Sequence, residues 1–134
     1  MGSGFAVSES RISDCVAHGN SGSGIFTFFD DNVVLNNLCG SNAFSGIYVH
    51  SRRNLIDGNQ CIRNGRGITC DDAVNTIIRN ICHMNTTLNW SISASSARYG
   101  PIINIVSGSG PSVSGDGPAA SSMTTADPYA NFAR

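Results

Sequence analysis

The sequence predicts an all-β protein, a parallel β-helix (solenoid) of about four to five coils, with 21–22 residues per coil and an extended C-terminal tail. Three observations carry this prediction. Residues 24–45, 46–66 and 67–88 repeat one another without internal gaps, the middle unit being one residue shorter at its end. Asparagine recurs in three columns of the repeat: Asn32, Asn54 and Asn75; Asn37, Asn59 and Asn80; Asn42, Asn64 and Asn85. Apolar residues come in short alternating sets, such as Ile47 with Val49, broken by Gly and Asn before a helix could bury a face. A fixed period of this size marks a stack of equivalent units.

The parts of one unit follow in order. Gly24, Gly46 and Gly67 open the units, where a side chain would clash, and Ile25, Ile47 and Ile68 follow as inward residues. Val34, Ile56 and Ile77 form a second apolar column. Cys39, Cys61 and Cys82 form a third, since a small thiol suits a narrow interior. About 22 residues hold three short strands and three bends, one full coil. Stacking sets equivalent residues about 4.8 Å apart, so every strand pairs in parallel with its copies. A bend Asn tolerates a left-handed backbone and bonds through its amide to the same Asn of the next coil. A degenerate first unit contains Gly4-Phe5, Ile12, Ala17 at the cysteine position and Asn20 opposite Asn42. A further unit opens at Asn89-Trp90-Ser91-Ile92 and then loses the pattern. Leucine-rich repeats have a similar length, but they need Leu at many fixed positions and this chain has four.

Composition narrows the function classes. The 134 residues fit one domain, 40% hydrophobic and 13% charged, with a net charge of −1. There is no basic footprint for nucleic acid and no polybasic membrane patch. No run approaches the 18 apolar residues that announce a membrane-spanning helix. The opening MGSGFAVSES has no basic segment followed by an apolar one, so no secretory signal is expected in this chain. Localisation therefore stays unassigned, with an extracellular or surface site expected only for a piece of a longer protein. The five cysteines include no CxxC pair, so no metal site is expected. The Cys39/Cys61/Cys82 ladder is expected to be buried and reduced, because parallel Cβ directions disfavour a disulfide.

The repeated GI…N-x-[IV]…N-x-C…N units over residues 4 to about 92 resemble the right-handed parallel β-helix repeat family, the pectin-lyase-like superfamily. The resemblance implies the handedness and an outer-face groove for a ligand. It says little about activity, because the superfamily spans polysaccharide lyases, polygalacturonases, uronan epimerases, phage tailspikes and non-enzymatic surface proteins. The candidate catalytic residues are Asp30, Asp31, His50, Arg52, Arg53, Asp71 and Asp72, which the repeat clusters over three coils. Resemblance to polygalacturonases implies carboxylate acid–base chemistry there, and resemblance to pectate lyases implies Asp-bound Ca²⁺ with an Arg base. Asp71-Asp72 is similar to the adjacent Asp pair of polygalacturonases. The accompanying Asn-Thr-Asp, Gly-His-Gly and Arg-Ile-Lys elements are absent, as is the Tyr-Gly-Phe-Asp-Pro-His of the epimerases. The architectural reading is simpler: Asp30 over Arg52 and Asp31 over Arg53 are opposite charges on neighbouring coils, worth about 0.2–1 kcal/mol each.

Other expectations concern surfaces and ends. Phe26, Tyr48 and Thr69 point outward if the preceding residues point in, making Phe26 and Tyr48 candidates for substrate binding or an interface. Arg63 and Arg66 read as solvated turn residues, and His18 and His83 as surface histidines. Residues 1–106 form the β-helix, and 107–134 form a Gly/Ser/Pro-rich tether ending in the aromatics Tyr129 and Phe132, read either as an anchor that docks on a β-helix, its own or a neighbour's, or as a disordered tail. Open coil ends expose core and strand edges. A homo-oligomer is thus expected through those ends, the outer aromatic face or the tail. The expected function is a non-catalytic, self-associating module with a structural or carbohydrate-associated role. The alternatives are a lyase or hydrolase acting on acidic polysaccharide, with Ca²⁺ as cofactor only in the lyase case, and a carbohydrate-binding module.

Overall fold

The computed structural model describes residues 2–93, 97–104, 113–114 and 127–133. The first coil contains β1 (Phe5–Val7), β2 (Arg11–Ser13) and β3 (Val16–His18). The second contains β4 (Ile25–Thr27), β5 (Val33–Leu35) and β6 (Leu38–Gly40). The third contains β7 (Ser45–Val49), β8 (Leu55–Asp57) and β9 (Gln60–Ile62), and the fourth β10 (Arg66–Cys70), β11 (Thr76–Ile78) and β12 (Ile81–His83). A fifth begins with β13 (Leu88–Ile92), β14 (Arg98–Tyr99) and β15 (Ile102–Asn104), followed by β16 (Val113–Ser114) and β17 (Asn131–Ala133). Every pairing is parallel, and three sheets result: β1-β4-β7-β10-β13-β16, then β2-β5-β8-β11-β14, then β3-β6-β9-β12-β17-β15. The chain is a parallel β-solenoid.

The register reproduces the repeat. Ile25, Ile47, Ile68 and Trp90 stack in one column, Val34, Ile56 and Ile77 in another, and Cys39, Cys61 and Cys82 in a third, all fully buried. Each such aliphatic side chain contributes about 1.5–3 kcal/mol of burial. All five thiols are free. Its contact with Cys61 and its burial push the Cys39 thiol up, and burial does the same to Cys61. The opening glycines face these thiols: a Cβ on Gly46 would lie 2.8 Å from both Cys61 Cβ and Sγ and 2.9 Å from Asn64 Nδ2.

The asparagine columns are buried hydrogen-bonded ladders with one direction. In the second, Asn37 Nδ2 donates to Asn59 Oδ1 at 3.0 Å, Asn59 Nδ2 to Asn80 Oδ1 at 3.0 Å, and Asn80 Nδ2 to Asn131 Oδ1 at 3.2 Å. Each Oδ1 also accepts the backbone N–H of the preceding ladder residue. The first ladder runs Asn32–Asn54–Asn75 and the third Asn20–Asn42–Asn64–Asn85, ending on Asn89. One expectation needs correction. The left-handed residue of each bend is the one before the ladder Asn: Asp31, Arg53 and Val74 before the first ladder, Asn36, Gly58 and Arg79 before the second, Ser41, Arg63 and Met84 before the third. The ladder Asn keeps ordinary backbone and uses its side chain to satisfy the N–H and C=O groups that the bend strands. Arg66 is a second correction, because it lies in β10, half-buried, and not in a turn.

Candidate functional site

The segment joining each strand of the first sheet to the first ladder carries the candidate residues. Its base is tied down by that ladder. Asn32 Nδ2 donates to the carbonyls of Phe29 and Asp30. Ser51 Oγ donates to Phe29 O at 2.6 Å, and Asn75 Nδ2 to Ser51 O at 2.8 Å and Asp72 O at 2.9 Å. With their bases fixed, residues 28–31, 50–53 and 71–74 stack as three equivalent rungs. This brings all seven predicted residues onto one face.

Their partners differ partly from the simple column pairing. Arg53 grips Asp31 with two parallel bonds, Nε to Oδ1 and Nη2 to Oδ2, both 2.8 Å, and also reaches Asp30 Oδ2 at 3.2 Å. Asp30 does not hold the Arg52 guanidinium. It accepts the Arg52 backbone N–H at 2.8 Å, while Arg52 Nε turns the other way to Asp72 Oδ1 at 3.0 Å. With the Asp30 carboxylate already held by the Arg52 backbone N–H and by Arg53, the Arg52 guanidinium pairs on the other side with Asp72. Asp71 Oδ2 accepts the Tyr48 hydroxyl at 2.7 Å, and its Oδ1 lies 3.1 Å from His50 Nδ1. Every carboxylate of the cluster is therefore committed to a neighbouring coil.

The electrostatics follow from these bonds. The Arg53 fork holds Asp31 below the usual carboxylate range, and the Ala73 N–H with Arg52 does the same for Asp72. Burial and the bond to Asp71 push the Tyr48 phenol up to about 12, so it remains a donor. Glycoside hydrolysis needs one carboxylic acid held protonated opposite a second carboxylate. Asp31 and Asp72 are pushed the opposite way. Among the described residues, no group of three or more His, Cys, Asp and Glu is arranged to hold a metal ion.

Beside this charged strip lies an aromatic platform. Phe26 and Tyr48 stack at 5.2 Å, Phe28 meets Phe26 edge-on at 5.7 Å, and Phe29 meets Phe28 edge-on at 4.7 Å. Phe44 approaches Tyr48 edge-on at 5.8 Å, and Arg66 lies 5.6 Å from the Phe44 ring centre. Phe28, Phe29 and Phe44 are 54%, 57% and 42% exposed. Thr69 continues the Phe26–Tyr48 column but is covered, its hydroxyl bonded to Ser45 Oγ at 2.8 Å. Reading only the first strand of each coil misses Phe28, Phe29 and Phe44. The alternation Phe26-x-Phe28 was the available signal for one of them. Phe44 joins from the residue that leads into β7, four positions before Tyr48.

A family model described as "Right handed beta helix region" matches residues 1–116. No curated protein and no solved structure matches the chain.

Proposed function

This chain belongs to the right-handed β-helix family, and on that premise we propose a non-catalytic structural module that self-associates through the aromatic face of its first sheet. The observation that carries the reading is the exposed cluster of Phe28, Phe29 and Phe44 around the Phe26–Tyr48 stack. A contiguous exposed apolar patch rimmed by polar residues marks an interaction surface. Its rim mixes Asp30, Asp31, Asp71 and Asp72 with Arg52, Arg53, Arg66 and His50. Such a balanced rim suits a second copy of itself, in a two-fold arrangement where each acid meets a base. A polyanionic uronan would meet the four carboxylates together with the bases, so this rim offers it no net positive track. The pairing of those carboxylates with groups on neighbouring coils supports a non-catalytic role.

Light scattering on the eluting peak of a sizing column tests the reading. The wild-type chain is expected to dimerise with rising concentration, and a Phe28→Ser/Phe29→Ser variant with unchanged circular dichroism to stay monomeric. A wild-type monomer at all concentrations overturns it. Turnover of polygalacturonate or alginate that disappears in folded Asp71→Asn and His50→Ala variants would replace it with the catalytic reading. Carbohydrate association is the second reading, favoured by the Phe26–Tyr48 stack beside polar groups. Saturable binding of a neutral oligosaccharide, lost in Tyr48→Ala, would support it.

A further inference from the structure

The last strand occupies a place that chain order does not give it. β14 lies directly on β11, so the fifth coil is in step with the fourth in the second sheet. One bend later, β15 would be expected on β12. Instead β17 separates them, pairing Cys82 with Ala133 on one side and Ile102 with Asn131 on the other. Between β12 and β15 there is thus a slot one strand wide, and it has a chemical preference.

Asn131 is fully buried in it. Its Oδ1 accepts the Asn80 backbone N–H at 3.0 Å and Asn80 Nδ2 at 3.2 Å. Its Nδ2 donates to Ile77 O at 3.1 Å and Gly100 O at 3.0 Å. Only an amide supplies an acceptor and a donor in that arrangement. Two residues on, Ala133 is fully buried beside Cys82, in the column that elsewhere takes cysteine, so a small side chain is required. Phe132, between them, faces the other way and is partly exposed. Backbone bonds, Asn131 N–H to Pro101 O at 2.7 Å and Phe132 N–H to Asn80 O at 2.9 Å, complete the strand. Main-chain pairing for affinity with alternate side chains for selectivity is the logic of strand addition.

We propose that this slot is a strand-acceptor site selective for an Asn-x-Ala segment, filled in cis by residues 131–133 and able to take the same segment from a second copy of the chain. The bonds of Asn131 and Phe132 reach residues far away in sequence, Asn80 being 51 positions from Asn131. None depends on covalent continuity, so a neighbour's segment makes the same set. Twelve residues, 115–126, lie between β16 and Asp127 and supply the connection. Exchange of an identical element between copies is a low-cost route to association. The chain's own strand holds the site at low concentration because it is always present nearby.

The test uses the full chain and a labelled peptide of residues 127–134, followed by fluorescence anisotropy and amide hydrogen exchange. In the wild type the slot is filled, and the peptide does not bind. In full-length Asn131→Asp a carboxylate oxygen faces the carbonyls of Ile77 and Gly100. The Asn80 amide, which donates to Asn131 Oδ1, and the β12 amides on the β17 side then exchange faster, while the Ile81 N–H, bonded to Asn59 O, does not. The wild-type peptide binds this variant one to one and restores the protection. A peptide carrying the same Asn-to-Asp change binds at least about tenfold more weakly. Full-length Ala133→Arg, which expels the strand by bulk, behaves like Asn131→Asp. The proposal is overturned by exposed β12 amides without peptide binding, by equal binding of both peptides, or by peptide binding to the wild type as tight as to the variants. Unchanged β12 exchange in both variants, or loss of the β-sheet signal in both, overturns it equally. The self-association reading rests on Phe28 and Phe29, which the peptide experiment does not touch.

Discussion

Replacing Asn59 by Ala tests whether the ladders hold the solenoid together. The side chain is 0% exposed and makes five hydrogen bonds. Its Oδ1 accepts from Asn37 N at 2.9 Å and Asn37 Nδ2 at 3.0 Å, and its Nδ2 donates to Val34 O at 2.9 Å, Asp57 O at 3.1 Å and Asn80 Oδ1 at 3.0 Å. Removal leaves the buried Asn37 N–H without its acceptor, which costs about 1–3 kcal/mol, and each remaining bond adds about 0.5–1.5 kcal/mol before relaxation. Asn37 Nδ2 keeps its bond to Ile12 O, so the loss is partial there. The expected total is about 3–5 kcal/mol, a large share of the roughly 5–15 kcal/mol that holds a domain folded. At the end of the third ladder, Asn20 is partly exposed and its side chain makes a single bond, to Asn42 Oδ1 at 2.8 Å. Asn20→Ala should cost about 1 kcal/mol. Urea unfolding measures both: with a slope of about 2 kcal/mol per molar, the Asn59 variant loses about 2 M in midpoint and the Asn20 variant about 0.5 M. Equal shifts in the two variants would refute the ladder argument. Asn59→Asp sharpens it, because a carboxylate oxygen then faces three acceptors. Its penalty should grow as the pH rises above about 4, where the unfolded chain ionises freely.

Three further outcomes concern Gly46, Val74 and the paired carboxylates Asp31 and Asp72. Gly46→Ala inserts a methyl against Cys61 and Asn64 and should lower stability by about 1–3 kcal/mol in thermal unfolding. Val74 is β-branched, 49% exposed and held at φ +60°, so Val74→Asn should stabilise by about 1 kcal/mol in the same assay, and a loss would refute the strain. Asp31 and Asp72 have folded pKa values below their unfolded ones; their contribution is therefore present above about pH 4 and lost as the pH falls through the folded values. Acid titration of unfolding should show this loss below about pH 4. Arg53→Gln, which frees Asp31, should make the acid limb shallower.

The one-dimensional repeat was legible because a solenoid writes its contacts at a constant sequence distance. Once Gly24, Gly46 and Gly67 are aligned, the partners of Ile47, Cys61 and Asn59 follow by counting, and the structure pairs them in that register. The candidate cluster was legible for the same reason: Asp30, His50, Arg53 and Asp71 lie on adjacent rungs of one bend. Which acid each base holds was not. Arg52 meets Asp72, while Asp30 is taken by the Arg52 backbone N–H and by Arg53, a choice that counting does not see. The left-handed positions were misplaced by one residue because the Asn composition of the bends marks a side-chain bond, not a backbone conformation.

The sequence by itself determined the coil, its inward columns and its ladders, since each depends on neighbours one period away. The sequence raised the possibility of a docked tail, but tertiary structure alone decided that residues 131–133 enter the third sheet between β12 and β15. Asn131 falls in no repeat, and the Asn80 and Gly100 groups that bind it come together only after four coils have wound and the fifth has stepped outward. Phe44 meets Tyr48 locally, from the residue that leads into β7, and only its ring orientation needed the structure. Periodicity encodes contacts between equivalent positions. Contacts between inequivalent ones, where the strand slot is built, exist only in three dimensions.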